Sequence, residues 1–472
     1  MRPGALLQRL GLFLLLLVFY TSFKLLLLVS SNSPSSEVRQ DASPIPLQAS
    51  TPTLSPPRPQ LTEDVSYLKC PGPLDEVPPS IVATCPSCTT FTCRHFFESD
   101  PKGQDHLKAK ELQTKLRFMK LPDASFIKLT ENCTEYKIKR NFLLHPKPEE
   151  ADYSIAFNIL MHKEVEQIER LLHSIYRPQN FYCLHVDAKV SSDTLKAVRS
   201  IASCFPNVFV ASRLERVVYA GYSRLKADIN CMSDLVKFSD RWKYLINVAG
   251  QAFPLKTNEE MVKILKIYNG ANDIEGIFGR RILRSRFVNE WKEVGIDTAR
   301  PSMKKTGKEN PPPPYDIDIV RGSAYGIFSR AFVEYLLHDE KAKALLAWSR
   351  HTWSPDEHYW ATLHHTYSNP LIKSPGSYKG IPHEKPWLAV YAAWGGVDTC
   401  YGQWKHGVCV FGLGDLPRLM NRKEFFANKF YYDLQPAAFE CMERWVRHKL
   451  KCPSKFDDTY YRSLPFINRT QT

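Results

Sequence analysis

Residues 153–189 read YSIAFNILMHKEVEQIERLLHSIYRPQNFYCLHVDAK. Tyr153–Leu160 is an apolar run, long enough for a buried strand. Apolar residues then recur at Val165, Ile168, Leu171, Leu172 and Ile175, the spacing of one helix face. Arg177-Pro178 stops that helix, because the residue before proline leaves the helical region. Phe181–Val186 is a second apolar run and ends at Asp187. Strand, helix, strand in this spacing is a βαβ unit, whose strands lie parallel.

The alternation continues downstream. Val208-Phe209-Val210 reads as a third strand, and Leu225, Ile229, Met232, Leu235 and Val236 as a helix face. Tyr244–Val248 reads as a fourth strand. It is followed by Thr257-Asn258-Glu259-Glu260, a capping box that opens another helix. The fold class is therefore α/β, a mostly parallel sheet with helices on both faces. Residues 301–314 read as a polar, proline-stopped loop, after which Gly322–Phe328 and Ala331–Leu337 resume a strand and a helix. Ligands of such sheets bind at the carboxyl ends of the strands, where Asp187 sits. A lone aspartate there serves equally as a turn or helix cap.

The flanks are different material. Residues 1–9 carry Arg2 and Arg9, and residues 10–30 are apolar except for Lys24. About 20 such residues span roughly 30 Å, a bilayer core. The preceding arginines favour a cytoplasmic tail and an uncleaved signal anchor, with a cleaved signal peptide as the alternative. Residues 31–65 are rich in Ser, Thr and Pro, cannot bury a core, and read as a stem. Residues 66–149 form a cysteine-containing region, 150–455 the main α/β domain and 456–472 a C-terminal tail. Sequons at Asn132 and Asn468 agree with an extracytosolic chain.

Of 472 residues, 63 are Lys or Arg and 49 Asp or Glu, a formal charge of +14. That balance admits nucleic acid, but the sequence has no nucleic-acid motif, no zinc spacing and no long basic run, so nucleic acid is excluded as partner. The twelve Cys are too sparse for a small disulfide scaffold and enough for several bridges. Cys85-Pro86-Ser87-Cys88 lies outside any βαβ unit and reads as structural.

Four short segments carry chemistry. Ser354-Pro355-Asp356-Glu357 reads as a capping box, with Ser354 at the N-cap of a helix over 358–364. The same spelling puts Glu357 at the mouth of the sheet, where an ionised carboxylate works as a general base. Cys400 and Cys409, nine apart, suit a disulfide hairpin, and Lys429 lies in the aromatic segment Phe425–Phe430. Asp316-Ile317-Asp318 is a D-x-D, a pattern that holds a metal in some nucleotide-sugar enzymes and begins a strand in many others.

Together YCLHVDAK (182–189), SCFPNVFVASRLERVVYAGYSRLKADINCM (203–232), WKYLIN (242–247), PPPPYDIDIVRGSAY (311–325), SPDEHYWATL (354–363), VCVFGLGDL (408–416) and FANKF (426–430) resemble the core 2/I-branching β-1,6-N-acetylglucosaminyltransferases, glycosyltransferase family 14. The resemblance spans roughly residues 125–450, about 70% of the chain, and is nearer the mucin-type core 2 members. It implies a GT-A (Rossmann-like) fold and an inverting transfer of GlcNAc from UDP-GlcNAc, without a metal, to the GalNAc of Galβ1-3GalNAc on an O-glycoprotein. It also implies a single-pass type II protein of the Golgi membrane, with a homodimer left open. The resemblance makes Glu357 the base. Leu160, Met161, His162, Asp187, Ala188 and Tyr219 become donor contacts, and Lys429 and His406 the diphosphate side. Glu275, Arg286 and Tyr391 join Glu357 as acceptor contacts. The implied disulfides are Cys93–Cys441, Cys133–Cys204, Cys183–Cys231 and Cys400–Cys409, leaving Cys70, Cys85, Cys88 and Cys452.

The resemblance places a free cysteine of the family at Ala249 and its acceptor tryptophan at Tyr391, and three further positions depart from the family pattern. His406 stands for an arginine, with Lys405 beside it; Leu283 stands for a lysine, with Arg284 beside it; and Ala252 stands for an aspartate. They leave open the same chemistry on poly-N-acetyllactosamine, and a glycan-binding relative without turnover.

Overall fold

The computed structural model describes residues 70–77, 92–98, 121–277, 283–298, 300–366, 368–452 and 456–467. These lie in the second of two units, Pro59–Thr472; the first, Met1–Arg58, holds no described residue. The expected membrane anchor, the stem, Asn468 and the Cys85–Cys88 pair fall outside the described residues. Among the described residues no helix is long and apolar enough to cross a membrane.

The expected alternation is present. Strand β1 (Ser154–Met161) leads to helix α1 (Val165–Ile175), β2 (Phe181–Val186), α2 (Ser192–Ser203), β3 (Val208–Val210), α3 (Tyr222–Phe238) and β4 (Trp242–Ala249). Next come β5 (Ala252–Pro254), α4 (Asn258–Tyr268), β6 (Asp273–Ile274), β7 (Asn289–Val294), β8 (Ser302–Glu309) and β9 (Gly326–Ser329). The chain continues through α5 (Arg330–His338), α6 (Tyr359–His365), β10 (Val390–Tyr391), β11 (Gln403–Lys405), β12 (Val408–Val410), β13 (Phe426–Asn428) and α7 (Pro436–Lys451).

The main sheet has the order β3-β2-β1-β4-β9-β6. Its first three pairings are parallel and the two that involve β9 are antiparallel. Every residue of β2 is buried, and all of β1 but Leu160. Such strands lie under helices on both faces and read as unbroken apolar runs. The capping box at Thr257 and Glu260 forms as spelled, with each side chain bonded to the other's backbone N–H.

Two expectations need correction. The segment 301–314 is not a loop throughout, because β8 pairs antiparallel with β7 from Val294↔Ser302 to Asn289↔Glu309. Its anchor is Met303, buried with Val218 and Ala220 against Trp291 and Trp353. The expected strand Gly322–Phe328 begins only at Gly326, since residues before it turn aside to pair Arg321 with Ile277.

Among the described residues five disulfides fasten this frame. Four are the pairs implied by the resemblance, and Cys70–Cys452 is a fifth. Cys183–Cys231 ties β2 to α3, and Cys93–Cys441 ties a short N-terminal helix to α7 across 348 residues. Links across long separations restrict the unfolded chain most. Residues 456–467 return to the core, where Phe466 packs edge-on to Tyr268 at 5.2 Å. Asn132 is exposed and caps a short helix with its Oδ1.

Candidate functional site

The carboxyl ends of β1, β2 and β4 lie side by side, and the candidate donor residues collect there. Asp187 is buried directly after β2, and its Oδ1 accepts the Lys189 N–H at 2.9 Å and the Val217 N–H at 3.4 Å. Ala188 donates its N–H to Glu215 O at 3.0 Å. Asp187 thus fastens the loop that presents Tyr219, which is 71% exposed. His185, buried on β2, accepts the Glu215 N–H at Nε2, 2.9 Å away. Burial pushes its imidazole down to about 4, so it is neutral and free to accept. His185 lies in the quoted segment YCLHVDAK but is not singled out there, because burial on an interior strand does not tell which side chain bonds the next loop.

Leu160 O accepts the Gly250 N–H at 2.8 Å, which locks β1 to the turn after β4. Met161 is buried, and the His162 ring reaches Gln251 Nε2 at 3.3 Å. Desolvation, then the charge of Lys163, holds the His162 imidazole below its ordinary value. Ala252 is buried in β5, paired with Asn428 next to Lys429, so this departure sits behind the lysine rather than in the open site.

Lys405 and Lys429 converge from two elements. Tyr431 has three ammonium groups over its ring, Lys163 at 4.4 Å, Lys405 at 4.5 Å and Lys429 at 5.8 Å. Lys429 Nζ also donates to Lys405 O at 2.8 Å. Lys163 is neutralised by Glu164 and Asp433, whereas among the described residues neither Lys405 nor Lys429 forms an ion pair. Burial, then repulsion from Lys405, lowers the Lys429 ammonium below its ordinary value. His406 and Gly407 occupy the two-residue turn of the β11–β12 hairpin, with φ of 52° and 71°. Positive φ at both central residues is the hairpin turn that matches strand twist. His406 is exposed at this tip.

The candidate base stands on a different turn from the one its spelling suggests. Ser354 has φ +46° and no capping hydrogen bond; Pro355–Glu357 is a 3-10 turn, and α6 starts at Tyr359. Neighbouring backbone holds the turn instead. Ser354 donates its N–H to Ala220 O at 2.7 Å, and Glu357 O accepts the Gly322 N–H at 2.6 Å. The Glu357 side chain, 32% exposed, is therefore free to face outward. Its Oε2 accepts from Arg286 Nη1, with Arg321 Nη2 3.5 Å away. Arg286 is fixed in turn by its carbonyl, which accepts the Trp353 N–H at 2.7 Å.

Asp356, beside the base, points the other way. It is buried, and its Oδ1 has no hydrogen-bond partner. Burial, opposed by Arg224, raises its carboxyl to about 7 from an ordinary 3.8. The folded chain then holds a proton there that the unfolded chain loses above about pH 4. The stability it contributes is full below about pH 4 and is lost as pH rises through about 7, by at most about 4 kcal/mol. We expect Asp356→Asn, which cannot ionise, to flatten this decline. Urea unfolding at about pH 5 and about pH 7.5 measures it, and equal pH slopes in the two proteins would sink the expectation.

The acceptor candidates are partly together. Glu275 follows β6, and Arg286 reaches Glu357. Leu283 is exposed at φ +54°, with Arg284 exposed beside it. Tyr391 is only 7% exposed, stacked on Phe411 with the Arg422 guanidinium 3.8 Å from its ring centre. It lies in the second core cluster, whereas Trp394, three residues on, is 55% exposed. Asp316 and Asp318 both face solvent, while Ile317 between them is buried. Among the described residues one group, Cys400, Cys409 and Asp415, is close enough to share a metal. Its two sulfurs are bonded to each other, and Asp415 accepts backbone N–H groups of Tyr401, Gly402 and Gly412.

With this geometry in hand, the comparisons decide the family. The Core-2/I-Branching enzyme family profile matches residues 155–419, more than half of the chain. The chain belongs to that family. It is accordingly a glycosyltransferase. It is 36% identical over 377 residues to the mouse (Mus musculus) β-1,3-galactosyl-O-glycosyl-glycoprotein β-1,6-N-acetylglucosaminyltransferase 3, covering 77% of this chain and 84% of that protein. A Homo sapiens β-1,3-galactosyl-O-glycosyl-glycoprotein β-1,6-N-acetylglucosaminyltransferase is 38% identical over 373 residues, 76% of this chain and 85% of its own. A Bovine herpesvirus 4 protein of the same name is 37% identical over 382 residues, with 77% and 84% coverage. Arg321 and His185 lie within the quoted segments 311–325 and 182–189 but are not singled out there; Arg321 stands beside the candidate base and His185 under the Asp187 loop.

Proposed function

We propose that the protein is a GT-A-type inverting enzyme that moves GlcNAc from UDP-GlcNAc, in β-1,6 linkage, onto the GalNAc of Galβ1-3GalNAc on Ser or Thr. The observation that carries this reading is Glu357, an outward carboxylate between Arg286 and Arg321 on a backbone-fixed turn. The names of the relatives, all β-1,6-N-acetylglucosaminyltransferases, support the transferred sugar and the linkage.

Glu357 takes the proton from the acceptor 6-hydroxyl as its oxygen bonds to the anomeric carbon. The bond from that carbon to the diphosphate breaks on the opposite face, so configuration inverts. The electron pair leaves on UDP, and Lys405 and Lys429 stabilise the charge that develops there. Asp187, His162 and Tyr219 border the place where uridine would lie at the strand ends. We assign no metal to this scheme and infer a Golgi, type II membrane placement from the N-terminal sequence.

The test is transfer by the full chain from UDP-GlcNAc to a Galβ1-3GalNAc-peptide in EDTA. We expect a β-1,6-linked product. Activity that vanishes in EDTA and returns with Mn²⁺ would end the metal-free scheme and turn attention to Asp316 and Asp318. A better rate on poly-N-acetyllactosamine would replace the acceptor.

A further inference from the structure

Hairpin β7–β8 stands beside the candidate base and is fixed there by one face. Its first residue, Asn289, comes shortly after Arg286, which reaches Glu357. Trp291 packs edge-on to Trp353 at 4.7 Å, Met303 is buried, and Glu293 Oε1 accepts the Ser223 N–H at 2.7 Å. Side chains alternate along a strand, so Lys292 and Lys304 share the other face, and the ladder sets them directly opposite each other. Toward the root, β8 runs from Lys305 to Glu309 while β7 runs only from Trp291 to Asn289, so β8 bulges. The bulge carries Lys308, with Gly307 before it at φ +88°. Bulges bend a strand and re-aim its side chains, and they are common beside active sites.

Lys292, Lys304, Lys305 and Lys308 on this ribbon are all exposed. Among the described residues their ammonium groups form no ion pair, hydrogen bond or ring contact. The carboxylates of the ribbon are engaged elsewhere. Glu290 Oε2 accepts from Thr306 Oγ1 at 2.6 Å, and its Oε1 lies 3.9 Å from His351 Nδ1. Glu293 holds Ser223, and Asp297 lies 3.6 Å from Arg216. Glu309, exposed at the root, is a single charge against the lysines. Like charges set directly opposite across a ladder destabilise it. A hairpin that served only as structure would lose nothing by a carboxylate at position 292 or 304. As it stands, the ribbon offers an anionic partner a row of positive charges whose mutual repulsion that partner relieves.

The position of the ribbon points to the partner. In the functional reading the reacting sugar hangs from a Ser or Thr, so the acceptor polypeptide passes one sugar ring away from Glu357. From Asn289 to Lys292 the strand rises about 10 Å, which an extended peptide covers in about three residues. Residues that flank the glycosylated one therefore come level with the lysines. Charges strung along a ribbon also match the side chains of an extended peptide better than the single charge of one sugar acid or sulfate. We propose that the exposed face of β7–β8, through Lys292, Lys304 and Lys308, docks an acidic stretch of the acceptor polypeptide beside the glycosylated Ser or Thr. The inference rests on Glu357 marking where the O-linked sugar reacts.

The experiment measures kcat and KM of the full chain on Galβ1-3GalNAc carried by two peptides of one length, with glutamate or glutamine on both sides of the glycosylated Thr. A third acceptor is the glutamine peptide with a 3-O-sulfated disaccharide. At low salt wild type should favour the glutamate peptide over the glutamine peptide by about fivefold or more in kcat/KM, which is what two or three surface charge pairs supply. The gain should lie in KM, because the lysines touch no reacting atom. It should fade in about 0.5 M NaCl, where screening cuts the reach of a charge to about 4 Å. The double variant Lys292→Gln, Lys304→Gln should bring the ratio close to one, and Lys308→Gln should lower it in part. Taking the ratio within each protein cancels any general effect on the base or on folding. Equal KM on the glutamate and glutamine peptides in wild type would overturn the inference and leave the functional reading standing. So would a ratio unchanged in the double variant, or a preference for the sulfated disaccharide without one for the glutamate peptide. No transfer to any acceptor would overturn the functional reading itself, and this inference with it.

Discussion

Glu357→Gln is expected to bind UDP like the wild type and to lose 10²–10⁴-fold in kcat, the usual weight of a general base. The amide keeps the shape of the side chain and can still accept from Arg286, but it cannot take a proton. The turn that carries it should be undisturbed, because Ser354 N–H, Glu357 O and Gly322 N–H hold it through backbone alone. Folding and donor binding are therefore separable from chemistry at this position. Calorimetric titration with UDP and a progress curve on the same preparation measure both. Turnover within a few-fold of wild type would remove Glu357 from the mechanism. Loss of UDP binding in step with turnover would make it a structural residue.

Much of the frame was legible because its periods are strong. The runs Tyr153–Leu160 and Phe181–Val186 are buried strands, and the 3.6-residue stripe between them is α1. Strand β8 was not legible, because SMKKTGKE has one apolar residue, Met303, and its burial depends on Val218 and Ala220 some 80 residues earlier. The turn at Ser354 was misread because Ser-Pro-Asp-Glu spells a capping box equally well. What decides against the cap is a backbone bond to Ala220, over 130 residues away. Cys70–Cys452 had no local sign at a separation of 382 residues. Tyr391 was named from the resemblance alone, and its burial against Phe411 and Arg422 is a tertiary contact that no local pattern carries. Arg321 joins the base through its pairing with Ile277 and through Gly322, whose N–H bonds Glu357 O, long-range contacts that local periodicity does not show.

The second large effect is expected at the diphosphate side, and there the hairpin decides between neighbours. The resemblance puts the family's arginine at position 406, where this chain has a histidine; its backbone sits at the left-handed tip of a two-residue turn, and the imidazole is exposed. Lys405 belongs to the strand just before the tip, and its ammonium lies over Tyr431 together with Lys429. Two like charges held together without a carboxylate between them repel, and after burial this repulsion holds the Lys429 ammonium below its ordinary value. A diphosphate relieves that repulsion, and does so most when the leaving group gathers charge in the transition state. Lys429→Met and Lys405→Met should each lower kcat by about 10²–10³-fold, the loss that follows removal of one donor to developing charge. The double variant should lose less than the product of the two, because each lysine's removal also relieves strain on the other. His406→Ala should cost less than either lysine change. Steady-state kinetics on the four proteins, with UDP-GlcNAc varied, tests the assignment. A larger loss from His406→Ala than from Lys405→Met would return the leaving-group charge to the imidazole.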